Sequence, residues 1–354
     1  MNSRYLMLGL IATACGGNAM AAGFGYMSND VAAYNIVAAQ HTIQARASLI
    51  PIRAYAPTRT NAPASDSDEY GEMIYYGEYG DDTGVLPLIG RSGGDTSNAY
   101  IGATWEHMDE ELKFKSYPHM DTTLNLGMIE FGNNHETLYN RPLDLKFFGG
   151  YVGGDIENNG VDIDQNGGFL GILAHQSIDD FDLNFVADFG LMANDVNDMT
   201  TAKNFNNVWV AVNLDAAYKF AIDEHLVLRP NVRGGYMWIF SPNYVLKNGE
   251  NIDNKNFGAF ELTPGIDIIS DLGNGWSIGA RGAYVMNFVS GGETYVEYAK
   301  IEKLKTDNYF EYSIKIEKYV DDLFFGINVG RHDGGRTGWF GGLTIKYLFE
   351  SYIK

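Results

Sequence analysis

The chain has 354 residues, enough for one large domain or two ordinary ones. Its 45 acids against 25 bases give a formal net charge of −20, which speaks against a nucleic-acid partner, because phosphates need a positive surface. The only cysteine is Cys15, so the body has neither a disulfide nor a thiolate metal site, and no apolar run of about 18 residues exists to make a spanning helix. What the chain does have is 42 Gly, 23 Tyr and 20 Phe, the material of closely packed, sharply turned β-structure.

Residues 1–21 read as a secretory signal. Arg4 supplies the positive start, Tyr5 to Ala14 the apolar run, and Ala19-Met20-Ala21 the small-x-small cleavage pattern, with the cut after Ala21. A lipoprotein signal with Cys15 lipidated competes, set back by Ala12 where a branched aliphatic is usual. Either leader hands the chain to the general secretion machinery.

Residues 22–96 differ from everything after them. Ser28 to Ser48 reads as a helix, capped by Ser28 and rich in Ala, with a weak apolar stripe kept wet by Gln40, Gln44 and Arg46. Pro51, Pro57 and Pro63 follow, then an acidic, Tyr-rich stretch from Asp66 to Asp82; this is linker-like material.

From Ser97 the pattern turns to period two. "FDLNFVADFGLMA" sets Phe181, Leu183, Phe185, Ala187, Phe189 and Leu191 against Asp182, Asn184 and Asp188. "VWVAVNLDAAYKF", "LVLRPNVRGGYMWIF" and "LFFGINVGRH" repeat the alternation. About twelve such strands are expected, near 98–106, 123–131, 143–153, 167–176, 181–193, 207–220, 226–240, 256–269, 275–289, 308–318, 322–332 and 338–349. Most are near ten to thirteen residues long, where soluble strands average about five or six and tilted membrane strands need about nine to eleven.

Short turns at 177–180, 221–225, 270–274 and 320–322 alternate with longer links at 154–166, 194–206, 241–255 and 290–307. The links at 132–142 and 333–337 fit that rhythm less well. Outer-membrane barrels carry short periplasmic turns and long outer loops. The expected fold is therefore all-β: a twelve-stranded antiparallel transmembrane barrel with a short N-terminal helix or linker. Its apolar face meets lipid and its polar face a wet lumen, since in hydrocarbon only a closed barrel satisfies every backbone group. Tyr236, Trp238, Tyr284, Tyr347 and Phe349 would form interfacial girdles. A soluble sandwich is the competing fold, set aside by strand length.

Taken together, "FFGGYVGGDIENNGVDIDQNGGFLGI" (147–172), "VWVAVNLDAAYKF", "LVLRPNVRGGYMWI", "FELTPGIDI", "GWSIGARGAYV" and the closing strand resemble the translocator barrel of autotransporters, the type V secretion systems, over roughly 97–349. The resemblance implies an outer-membrane location in a Gram-negative bacterium, surrounding lipid as partner, export of an N-terminal passenger, and a helix lying in the pore. It also implies that the barrel-assembly machinery reads the last strand, through Leu343, Ile345, Tyr347 and the closing Phe349. Glu350 to Lys354 would then be a polar periplasmic tail. Only about seventy-five residues separate the signal from the barrel, so residues 22–96 would be a very short passenger or linker.

Chemistry is sparse. No zinc or nucleophile signature occurs, and no enzyme activity or cofactor is expected. "DFG" at 188–190 falls inside a strand, and His332-Asp333 reads as a solvated turn. Asp162, Asp164 and Asn166 copy the start of a calcium loop, but Leu173 stands where a bidentate Glu is needed, which leaves an acidic hairpin link as a weak cation candidate. Asp188, Asp215, Lys219, Arg229, Arg233 and Arg281 are expected to line the lumen, as a structural charge ladder or a selective pore. The functional expectation is a translocator or surface anchor for the short N-terminal segment. The alternative is a stand-alone barrel acting as adhesin, envelope protein or narrow pore.

Overall fold

The computed structural model describes residues 97–351 without 115–116, 139–140, 159–160, 179, 198–202, 224, 241, 246–250, 292–293, 297–298, 302–306 and 321. The expected signal, the helix at 28–48, the linker to 96 and residues 352–354 lie outside the described residues.

Twelve long strands make the wall: β1 (Ser97–Phe114), β2 (Tyr117–Leu138), β3 (Arg141–Asn158), β4 (Val161–Ile178), β5 (Phe181–Asn197), β6 (Lys203–Tyr218, continued by Phe220–Ala221), β7 (Leu226–Phe240), β8 (Phe257–Gly273), β9 (Trp276–Gly291), β10 (Tyr309–Val320), β11 (Leu323–Gly334) and β12 (Arg336–Ser351). Each pairs antiparallel with its sequence neighbours, and β12 pairs with β1, so the sheet closes on itself. A row stepped across the ladders from Trp105 reaches Phe240 on β7 through β2 to β6. Stepped the other way it reaches Leu226 on the same strand, a displacement of fourteen residues. With about 3.3 Å per residue and about 4.8 Å between strands, that displacement sets a tilt of about 39° and a backbone radius of about 12 Å.

The strands run from 12 to 22 residues, longer than the sequence led us to expect. Three anticipated links are absorbed into hairpins. β2 and β3 pair as far as Leu138–Arg141, β3 and β4 to Asn158–Val161, and β5 and β6 to Val196–Lys203. The longer links after β7 and β9 carry four short strands, Tyr244–Val245, Asn251–Asn254, Thr294–Val296 and Ala299–Ile301, which form a small sheet of their own. Beside it Lys255 donates to Asp253 at 2.8 Å and holds that carboxyl below its ordinary range. The turn between β8 and β9 needs three successive left-handed residues, Gly273, Asn274 and Gly275, at φ of 77°, 52° and 76°. Gly and Asn are the residues that adopt them.

The outward face is apolar around the whole ring: Ile101, Ile129, Leu170, Phe189, Leu214, Ile268, Ile314, Ile327 and Ile345 all project from it. Aromatic side chains gather toward its ends, with Tyr236, Trp238 and Phe240 stacked in a column and Tyr284 against Phe310 at 4.8 Å. Toward the loop end of β1 to β5 the polarity reverses. His107, Asp109, Glu111, Asp121, Asp155, Asp164 and Asp195 face outward, while Met108, Leu112, Leu124, Ile156, Ile163 and Met192 face inward and are buried. An 18-residue strand at this tilt stands about 46 Å tall, against an apolar band of about 25 Å. The upper part of these strands is therefore a rim in water.

The lumen is not uniformly wet, as the sequence had implied. Its turn end is charged, but its loop end is lined by apolar side chains. Wherever the outward face is solvated, the hydrophobic effect drives apolar groups to the inner one. Four aromatic rings on the lumen side lie over directly paired glycines: Tyr100 on Gly132, Phe148 on Gly171, Trp209 on Gly190 and Phe340 on Gly330. A Cβ at any of these glycines would sit 2.0–2.2 Å from a ring carbon. One ladder is interrupted. Between β8 and β9 the pairing stops at Leu262–Met286 and resumes at Gly265–Ala283, skipping Thr263 and Pro264. Proline has no N–H to give its neighbour.

Candidate functional site

Inward-pointing positions of successive strands bring charged groups together across the bore. Arg229 on β7 is the hub. Its Nη1 bonds Asp267 of β8 at 2.9 Å, its Nε bonds Asp182 of β5 at 3.2 Å, and its Nη2 lies 3.6 Å from Asp215 of β6. Asp267 also takes Arg281 of β9 at 3.0 Å and Asn231 at 2.8 Å, and Arg281 reaches on to Glu311 of β10 at 3.0 Å. Lys219 joins through Asp182 at 3.1 Å. One network thus spans β5 to β10, and it gathers four of the six anticipated lumen residues: Asp215, Lys219, Arg229 and Arg281. The other two stand apart. Asp188 accepts the Trp209 indole N–H at 2.9 Å, and Arg233 lies 3.5 Å from Glu261.

A second cluster closes the seam between the first and last strands. Arg336 of β12, fully buried, bonds Glu110 of β1 through Nε at 2.8 Å and Nη2 at 2.7 Å. His332 bonds the other oxygen of Glu110 and lies 3.5 Å from Glu311. The reading of His332-Asp333 as a solvated turn is therefore wrong. His332 is an inward residue of β11 and 2 % exposed, while Asp333 points the other way, to Arg331 and the Tyr312 hydroxyl. Lower on the seam, Lys346 pairs with Glu130 at 2.5 Å, crossing over β1 to reach β2.

Sequence reasoning missed Asp182, Asp267, Glu311, Glu110 and Arg336. The inward parity shared with Arg229 was the signal available for the first two. Counted on the described residues, eleven carboxylates and eight lysine or arginine side chains face the lumen, an excess of three negative charges with histidines neutral.

The anticipated calcium loop is a strand. Asp164 and Asn166 lie on the outward face of β4, Asn166 accepting from the Tyr151 hydroxyl, and Asp162 pairs in register with Glu157 and Asn197. An extended segment cannot wrap an ion with alternate residues. Among the described residues no group of three or more His, Cys, Asp or Glu side chains is arranged to hold a metal ion. In the closing strand Leu343, Ile345 and Tyr347 face outward, 48–51 % exposed. Phe349 pairs with Ala99, and the ladder continues through Glu350 and Ser351. The strand does not stop at Phe349, because backbone pairing follows the partner strand, which begins at Ser97, and not side-chain polarity.

A closed antiparallel barrel, apolar outside and charged within, is an outer-membrane β-barrel protein. The autotransporter β-domain family model matches residues 121–330, and the chain belongs to that family. A search of curated proteins gave no match. Three solved structures share the fold. The β-domain of the Bordetella autotransporter BrkA is 14% identical with TM-score 0.60, covering 72% of this chain and 100% of that one. The transport unit of AIDA-I from Escherichia coli is 13% identical with TM-score 0.58, covering 76% and 93%. The translocator domain of NalP from Neisseria meningitidis is 8% identical with TM-score 0.59, covering 72% and 89%. The chain is thus a translocator-type barrel of the Gram-negative outer membrane, and that family of barrels is not an enzyme family.

Proposed function

We propose that the barrel carries and anchors its own N-terminal segment, residues 22–96, after the general secretion machinery has exported the chain and residues 1–21 have been removed. One observation carries this reading. The wall closes around a bore about 24 Å wide from backbone to backbone, room for one helix of about 10–12 Å between wall side chains. The wall begins at Ser97 on the short-turn end, so residues 22–96 join it at that mouth. In this reading the short-turn end is periplasmic, the helix at 28–48 lies in the pore, and the charged network is the wall of that passage. The barrel-assembly machinery would read β12 through Leu343, Ile345, Tyr347 and Phe349, with 350–354 as its periplasmic end.

Access to the N-terminal segment tests the reading. A cysteine placed at Asn29 in a Cys15→Ser chain should react with a membrane-impermeant maleimide on intact cells, as should one at Asn248 in the loop after β7. One at Asp223, in the turn after β6, should not. Labelling at Asn248 without labelling at Asn29 would leave a barrel that displays nothing.

A further inference from the structure

We propose that residues 31–65 are the part of the N-terminal segment held in the lumen, and that Arg46, Arg53 or Arg59 supplies the hydrogen bonds to Asp144. This rests on the reading that the segment enters the barrel.

Asp144, inward on β3 near the turn end, is 0 % exposed, and neither of its carboxylate oxygens has a hydrogen-bond donor. The cation beside it, Lys146 on the same strand, stands off at 3.4 Å. His175, its register partner on β4, turns Nδ1 to Asn184 at 2.6 Å instead. A carboxylate withdrawn from water without donors is costly, and a guanidinium fork is the group that best satisfies both of its oxygens.

Charge selects the donor. The described lumen holds three negative charges in excess. Residues 31–65 carry Arg46, Arg53 and Arg59 and no Asp, Glu or Lys, which makes three positive charges with His41 neutral. Residues 66–82 carry seven acids and no base, so the same lumen repels them. Reach permits the arrangement. Ala99, Asn133 and Leu145 share one row, which puts the backbone at Asp144 about 10 Å from the start of the wall. Residues 66–96 extend to about 100 Å, ample to leave the mouth and return.

The test uses the full chain with Cys15→Ser, inserted in outer membranes. Asp144→Cys is combined in turn with Arg46→Cys, Arg53→Cys, Arg59→Cys, Glu72→Cys and Arg91→Cys, and a short bis-maleimide is applied. We expect cross-linking with at least one of the first three and none with Glu72→Cys. Cross-linking through Glu72→Cys or Arg91→Cys alone, or through none of the five, overturns the proposal. A charge exchange provides a second readout. Asp144→Arg should lower the yield of inserted barrel at least several-fold, and the matching Arg→Asp change at the cross-linked position should restore it. Restoration by a change at any other arginine counts against the assignment. Surface labelling at Asn29 on the same cells separates the two readings. Label without cross-link removes the lumen assignment alone, and neither label nor cross-link removes both.

Discussion

Replacing Arg229 with methionine would test whether the lumen behaves as a protein interior or as a wet channel. Methionine keeps the apolar stem and deletes the charge that three carboxylates share. Asp267 would keep Arg281 at 3.0 Å and Asn231 at 2.8 Å, and Asp182 would keep Lys219 at 3.1 Å and Ser177 at 2.6 Å. Asp215 would keep the Asn184 amide at 3.1 Å and lose its closest cation of the network. Removing one partner of a buried ion pair costs about 3–5 kcal/mol. Two of the three carboxylates retain a cation, so we expect the low end, about 3 kcal/mol. The assay is urea unfolding of the barrel folded in detergent, followed by tryptophan emission, with the midpoint falling at unchanged m-value. Adding Asp215→Asn should recover most of the loss, because it removes the stranded charge. A loss below about 1 kcal/mol, the range of exposed pairs, would mean that water screens the network and would refute the description of a dry hub.

Two further perturbations address the wall. Gly190→Ala would place a methyl 2.0 Å from the Trp209 ring, whose indole is held by Asp188 at 2.9 Å and cannot swing away freely. A loss of about 1–3 kcal/mol is expected in the same unfolding assay; an unchanged midpoint would show that the ring has another resting place. Pro264→Val restores an N–H to the interrupted β8–β9 ladder and should stabilise the barrel by about 0.5–1.5 kcal/mol. A lower midpoint would mean that the fixed φ of proline matters more than the missing bond.

The closed barrel and its strand count were legible because outward and inward residues differ so sharply in β5, β6, β7 and β11. Phe185 and Phe189 face Asn184 and Asp188 across the wall, and Val232 faces Arg233. β2 and β3 were harder to read. Leu124, Leu126 and Met128 point inward where Ile129 and Phe131 point outward, so both faces are apolar and period two fades. The strand ends were cut short for a related reason. On β1 the apolar positions run Ile101, Ala103 and Trp105 outward, then shift parity to Met108 and Leu112 inward. A search that follows one phase loses the strand at that shift, although the backbone continues to Phe114. The ion network itself needed the registers. Nothing in the sequence alone puts Asp182, Asp215 and Asp267 around one guanidinium.

That change of parity means that a single strand answers to two solvents. Its lower stretch is sealed by hydrocarbon, where an opened peptide group finds no water and fraying is prohibitive. Its upper stretch obeys the thermodynamics of ordinary soluble sheets, with a heat-capacity change on opening and sensitivity to cold, urea and osmolytes. The rim and the belt thus form separate cooperative units of one continuous β-sheet. Hairpin tips at the rim can lengthen, shorten or change sequence at the modest free-energy cost of a surface loop. Selection can therefore remodel what the barrel presents to the outside while the membrane-embedded belt stays fixed.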